Sequence, residues 1–327
     1  MRRLVGVAGL TGLLCMTLSA PAQASAVQEV WFTGSFTAQL SITSGDVNGD
    51  GTDDLVSFNL SGVGNRVLPS TGSAFAPLQQ AWGNANFQQT PASAVASLVA
   101  DMDNDGRADA VMVRLPAPRG VWVARSEPIP QLGANRFAPA TQWLNNSVVG
   151  DLSTTAADVD ADGDMDVIGM YGSGVPVLVA RSAGTASLPL ATWAPESVHG
   201  DKASLAADVS GDGAADFVLA DTTGVRVVPA NPRWWDTPQQ WSTTPFYGTK
   251  KTLTGDIDTD GDADLIAVNA TDVQVMRSTG TGFAAPEMWW PNTFTGSRET
   301  LAADVDGDGD TDLVAVNSGE VRVLRTQ

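Results

Sequence analysis

The apolar positions of this chain fall in short runs and never in long stripes. Leu313-Val314-Ala315-Val316 and Leu265-Ile266-Ala267-Val268 are four residues long and rich in β-branched side chains, as expected of strands buried on both faces. A turn and an alternating run follow, as in Val121-Trp122-Val123, Val225-Arg226-Val227-Val228, Val273-Gln274-Val275 and Val321-Arg322-Val323-Leu324. The run Val175-Pro176-Val177-Leu178-Val179 is of the same kind. Such alternation predicts a third strand type. Another short run precedes each acidic loop, as at Leu301-Ala302-Ala303, and a fourth carries Phe and Trp. No segment shows the 3.6-residue period of a long helix. About four strands recur every 48 to 57 residues, which is the pattern of a β-propeller blade.

The two ends fit a closed ring. The last repeat stops after its third strand, and Val27-Gln28-Glu29-Val30-Trp31 reads as an orphan fourth strand. Pairing the two leaves no open edge. The count is six blades; a seventh requires that the longer early spacings conceal a degenerate one.

Each repeat carries a nine-residue acidic loop between its first two strands. The loops are DVNGDGTDD from Asp46, DMDNDGRAD from Asp101, DVDADGDMD from Asp158, DVSGDGAAD from Asp208, DIDTDGDAD from Asp256 and DVDGDGDTD from Asp304. Positions 1, 5 and 9 are Asp throughout and position 6 is Gly throughout. Carboxylates this dense repel one another unless a cation sits among them. Hard oxygens at alternate positions around a Gly turn suit Ca²⁺, whereas Mg²⁺ favours tighter octahedral sites and retains its waters. Up to six Ca²⁺ are expected. The candidate ligands are Asp46, Asn48, Asp50 and Asp54; Asp101, Asp103, Asp105 and Asp109; Asp158, Asp160, Asp162 and Asp166; Asp208, Ser210, Asp212 and Asp216; Asp256, Asp258, Asp260 and Asp264; and Asp304, Asp306, Asp308 and Asp312. The loop from Asp208 is the weakest, because Ser210 is neutral. No EF-hand is present: position 12 is not Glu in any copy, and a strand follows instead of a helix. Calcium would hold these carboxylates ionised, so acid is expected to weaken the loaded fold.

With Phe75-Ala76-Pro77, Phe137-Ala138-Pro139 and Phe283-Ala284-Ala285-Pro286 between the loops, the chain resembles the FG-GAP/VCBS repeat. That repeat builds the propellers of integrin α-subunits and of many secreted bacterial proteins. The resemblance covers nearly all of residues 27–327 and implies a calcium-binding propeller. It leaves the ligand open, since the same repeat serves adhesins, lectins, toxin components and domains attached to enzymes.

The first 24 residues read as an export signal: Arg2-Arg3, an apolar run from Leu4 to about Leu18, then Ala22-Gln23-Ala24. Cleavage is expected after Ala24 or Ala26. Residues 25–327 then form one propeller domain, secreted and extracellular. The Arg pair lacks a fuller twin-arginine motif, and the ordinary export route is expected. Cys15 leaves with the signal, so disulfides cannot staple the remainder. No second stretch is apolar enough to span a membrane. The net charge of −19 and the lack of a basic stripe exclude nucleic acid as a partner.

Catalytic candidates are few. His199 is the single histidine, and no nucleophile elbow, Cys nucleophile or zinc cluster is present. Glu196, Asp221, Asp236, Glu287 and Glu299 show no pairing suited to glycoside cleavage. The chain is therefore read as a monomeric, non-enzymatic recognition module. Protein–protein adhesion and a polysaccharide hydrolase or lyase are the alternatives. A glycan is the first-choice ligand because there are 10 Trp against 2 Tyr. Trp31, Trp143, Trp193, Trp241 and Trp289 each lie 15 residues before a loop, whereas Trp82 lies 19 before. These periodic tryptophans read as wedges between blades. In the doublets Trp234-Trp235 and Trp289-Trp290, strand alternation turns one member outward, so Trp234 and Trp290 are the candidate ligand contacts.

Overall fold

The computed structural model describes residues 26–59, 65–82, 94–115, 119–127, 136–172, 176–194, 198–230 and 237–326. Within them the strands form six four-stranded antiparallel sheets and one two-residue pairing, with no helix among the described residues. Each sheet is a blade, numbered here by its acidic loop from Asp46 (blade 1) to Asp304 (blade 6). Blade 5 shows the plan: Lys251–Gly255, Asp264–Val268, Val273–Met276 and Glu287–Trp290 pair in chain order. First strands of successive blades neighbour one another around the axis, and Ser41–Gly45 of blade 1 meets Glu299–Ala303 of blade 6.

The ring closes as the termini predict. Val27–Thr33 pairs antiparallel with Glu320–Arg325, with Val27 opposite Arg325 and Thr33 opposite Glu320. There are six blades, not seven. Second strands such as Asp54–Phe58, Asp264–Val268 and Asp312–Val316 are buried at every position, which explains their mostly apolar composition after the opening Asp. The core is divided among the seams. Six clusters of buried side chains each join two adjacent blades; one unites Trp31, Val314 and Val323 of blade 6 with Leu55, Leu68 and Phe75 of blade 1.

The periodic tryptophans sit on fourth strands, and a β-bulge falls on most of them. Gln274 pairs with Met288 and Val273 with Trp290, leaving Trp289 as the extra residue. Trp31, Trp143, Trp193 and Trp241 are skipped in the same way. In blade 1 the skipped residue is Ala81, matching the irregular spacing of Trp82. A bulge re-aims the extra side chain, and Trp31, Trp143, Trp193 and Trp289 are thereby buried. The bulge also defeats the alternation expected of Trp289-Trp290. Trp290 is half-buried and packs on the same cluster as Trp289. Trp234 lies outside the described residues, as does the expected signal over 1–24.

Candidate functional site

Each acidic loop is held by its own carboxylates. The position 1 carboxylate accepts the amide of the position 6 glycine in every blade, at 2.8–3.1 Å. The position 5 carboxylate accepts the position 7 amide at 2.9–3.1 Å. Gly at position 6 is required because φ there runs from +80° to +94°. Position 4 is left-handed too, a feature not evident from the sequence pattern. Asn104, Ala161 and Thr259 hold φ of 51°, 57° and 59° there, a strained state for Thr in particular.

Position 9 opens the second strand and is the buried anchor of the loop. Asp54, Asp109, Asp166, Asp216, Asp264 and Asp312 are almost wholly inaccessible. In five blades one of its oxygens accepts the amide just beyond the third strand, for instance from Ser182 and Ser278 at 2.7 Å. Burial, reinforced by neighbouring carboxylates, pushes these groups up. Asp54 and Asp166 reach about 8, Asp109 and Asp264 about 7, Asp216 about 6 and Asp312 about 9.

The residues fit a hard divalent cation. Among the described residues, Asp101/Asp103/Asp105, Asp158/Asp160/Asp166, Asp256/Asp258/Asp260 and Asp304/Asp306/Asp308 each bring three carboxylate oxygens within 4.8 Å of one another. Oδ1 of Asp103, Asp160, Asp306 and Asp312 is buried without a hydrogen-bond partner. Buried acceptors are rarely left unpaired, and an ion would satisfy them. The loops of blades 1 and 4, with Asn48 and Ser210 at position 3, form no such triad of acids; Asn48 donates instead to Asp54, at 3.2 Å.

The loops also join the blades to one another. The position 8 amide of each loop donates to the position 1 carbonyl of the preceding one at 2.6–2.8 Å, a closed ring of six bonds running from Asp53–Asp304 to Thr311–Asp256. At the closing seam Asp304 returns an amide hydrogen bond to Asp53 Oδ2 at 3.2 Å. Burial raises the Asp53 carboxyl to about 7. The hydroxyls of Ser70, Ser126, Ser182 and Ser278 reach the position 2 carbonyl of the preceding loop at 2.5–2.6 Å.

Further out, the seams between blades 6 and 1 and between blades 4 and 5 are filled by a Trp of one blade and the Phe-Ala-Pro-like segment of the next. Phe75 stacks edge-on against Trp31 at 5.7 Å, and Phe283 lies 5.5 Å from Trp241. Phe75, Phe137 and Phe283 each bridge back to Ser70, Ser126 and Ser278. In blade 3 the bridge is Ser182 to Ser187, so serine stands where the others have phenylalanine. Beside it opens a cleft of about 480 Å³, lined by Gln142, Trp143, Leu144, Asn145, Asn146, Ser187, Pro189 and Leu190. Ser187 Oγ has no hydrogen-bond partner there. Among the described residues, none that lines the cleft is charged.

The isolated acids are not free either. Asp221 pairs with Arg226 at 2.7 Å, Glu287 with Arg277 at 2.6 Å and Glu299 with Lys251 at 2.5 Å. His199 is half-buried, and its backbone carbonyl accepts from Arg226. Glu196 and Asp236 lie outside the described residues. No helix among the described residues is long and apolar enough to cross a membrane.

Fold and loops together define a β-propeller built on acidic inter-blade loops. An FG-GAP-like repeat model matches residues 46–112 and 256–315, so the chain is a β-propeller that carries FG-GAP-like repeats over those two stretches. No match was found among curated proteins. Among solved structures, an Agrocybe aegerita lectin that specifically recognises non-reducing terminal N-acetylglucosamine superposes with a TM-score of 0.58 at 21% identity, over 90% of this chain and 80% of that one. The Photorhabdus luminescens Tc holotoxin pore gives 0.59 at 18% identity, over 92% of this chain but 14% of that one. A putative oxidoreductase (glucose dehydrogenase) of Thermus thermophilus gives 0.53 at 10% identity, over 92% and 100%. These likenesses concern the fold.

Proposed function

We propose that this chain is a secreted, calcium-loaded recognition propeller, without catalytic activity, that binds neutral glycans at the cleft between blades 2 and 3. The observation that carries the reading is Ser187 at a phenylalanine position. Losing the ring leaves a cleft in the size range of small-ligand sites. Its walls suit a sugar. Gln142, Asn145 and Asn146 both donate and accept hydrogen bonds, matching hydroxyls, while Pro189 and Leu190 offer an apolar surface to the ring. The absence of charge in the lining favours a neutral ligand over a uronate or a phosphate. The lectin of similar fold supports the reading at the level of architecture. Calcium would be held by positions 1, 3, 5 and 9 and would supply charge neutralisation to the loops that join the blades.

The test is a glycan array probed with residues 25–327 in millimolar calcium, alongside Ser187→Phe. Binding of neutral glycans that Ser187→Phe abolishes supports the reading. Silence of the unaltered protein on the array sinks it. A protein partner captured regardless of deglycosylation would move the reading to adhesion. Turnover of a polysaccharide would make the chain an enzyme.

A further inference from the structure

The six loops are of two kinds, and a residue outside the loop tells them apart. The first residue past the third-strand core is Pro69 in blade 1, Arg125 in blade 2, Arg181 in blade 3, Pro229 in blade 4, Arg277 in blade 5 and Arg325 in blade 6. Arginine occurs in the four blades where position 3 of the loop is Asp. Proline occurs in the two where it is Asn48 or Ser210. Each arginine reaches its own position 3: Arg125 to Asp103 at 3.0 Å, Arg181 to Asp160 at 2.5 Å, Arg325 to Asp306 at 2.8 Å, and Arg277 to Asp258.

The backbone does not require this alternation. The carbonyls of Pro69, Arg125, Arg181 and Arg277 accept the same hydrogen bond, from Ala76, Ala138, Leu188 and Ala284, at 2.7–2.8 Å. The side chain is what differs. In each pair the guanidinium takes Oδ2. In three of them Oδ1 of an aspartate whose side chain is 8–10% exposed is left buried without a partner. The periodic tryptophans steady two of the arginines, with Arg181 5.7 Å above Trp193 and Arg325 5.5 Å above Trp31.

We propose that Arg125, Arg181, Arg277 and Arg325 are positioning residues of the metal sites. Each fixes the position 3 aspartate as a one-oxygen ligand and cancels its charge. The ligand positions 1, 3, 5 and 9 together with the strand-end residue then carry the same net charge in all six blades. Blades 1 and 4 reach that charge with a neutral third ligand and so dispense with the arginine. This inference rests on calcium loading.

The test is a double-mutant cycle in blade 3 of the full chain: Arg181→Gln, Asp160→Asn and the double variant, each titrated with calcium by calorimetry and melted with calcium and with chelator. Arg181→Gln should weaken one of the sites by about 10- to 100-fold, as loss of a ligand's supporting contact does. In the Asp160→Asn background the same change should alter affinity by no more than about threefold, the difference being the coupling of the pair. Arg181→Gln should lower the melting temperature further in calcium than in chelator, and an equal fall in both would mark a purely structural role. Arg181→Lys, which keeps charge without the fork, should recover only part of the affinity. Equal losses in both backgrounds, or no loss in either, overturn the proposal while leaving calcium loading intact. Absence of calcium uptake by the unaltered protein overturns both.

Discussion

The seam between blades 6 and 1 and the seam between blades 2 and 3 are built from the same parts. In each, a loop amide meets the preceding loop's carbonyl, and a buried serine hydroxyl reaches the preceding position 2 carbonyl. In each, the backbone beside the bridge bonds to the fourth-strand Trp carbonyl, Phe75 to Trp31 and Ser187 to Trp143. They differ in one side chain at the outer end. Phe75 seals the closing seam, where the chain ends must be held together, and Ser187 leaves the other open. A repeated scaffold can therefore acquire a site by omitting a wedge at one seam, because the remaining bonds still hold the blades in place.

The largest test acts on both seams at once. Removing calcium should lower stability by about 2.7 kcal/mol for each site that had been held at a hundredfold excess over its Kd. Calorimetric melts with and without chelator measure this, and identical melts would contradict the loaded-loop reading. Asp308→Ala should remove one site's share, with excess calcium restoring part of it.

Converting the sealed seam into the open one comes next. Phe75→Ser removes a buried ring at the closure and should cost on the order of 3–5 kcal/mol, read as a fall in denaturant midpoint. The reciprocal Ser187→Phe fills a cleft, so its effect on stability should be small while ligand binding is lost.

Acid sharpens the comparison by sign. Without calcium, burial holds the position 9 carboxyls at about 6 to 9, above the unfolded value of about 3.9. A raised folded value favours the native state at low pH, and that stability is lost as pH rises through 6 to 9. With calcium the carboxylates are held ionised, the folded values fall below the unfolded one, and stability is lost on acidification. Melting temperature should therefore fall from pH 5 to pH 9 in chelator, whereas in calcium it should hold level over that range and drop only as pH falls below about 4. Parallel curves would show that the ion does not bind these groups.

The smallest effect belongs to a loop away from both seams. Thr259→Gly should stabilise the protein by about 1 kcal/mol by relieving a left-handed threonine. An unchanged or lower midpoint would mean that the threonine side chain gives back as much as the strain costs.

The sequence by itself determined the strands, the six-fold repeat, the acidic loops and the closure by Val27–Thr33, because these depend on local patterning that recurs every 48 to 57 residues. The tertiary structure decided what happens between repeats. The loop-to-loop ring and the bond from Ser187 to Trp143 join different repeats, and Arg181 reaches Asp160 across 21 residues of one blade. The misplaced expectation for Trp290 has the same origin: strict alternation assumes one residue opposite one residue, and the bulge at Trp289 puts two opposite one. Neighbouring positions set a strand's periodicity, but which side chains meet across a seam is fixed only when the ring closes.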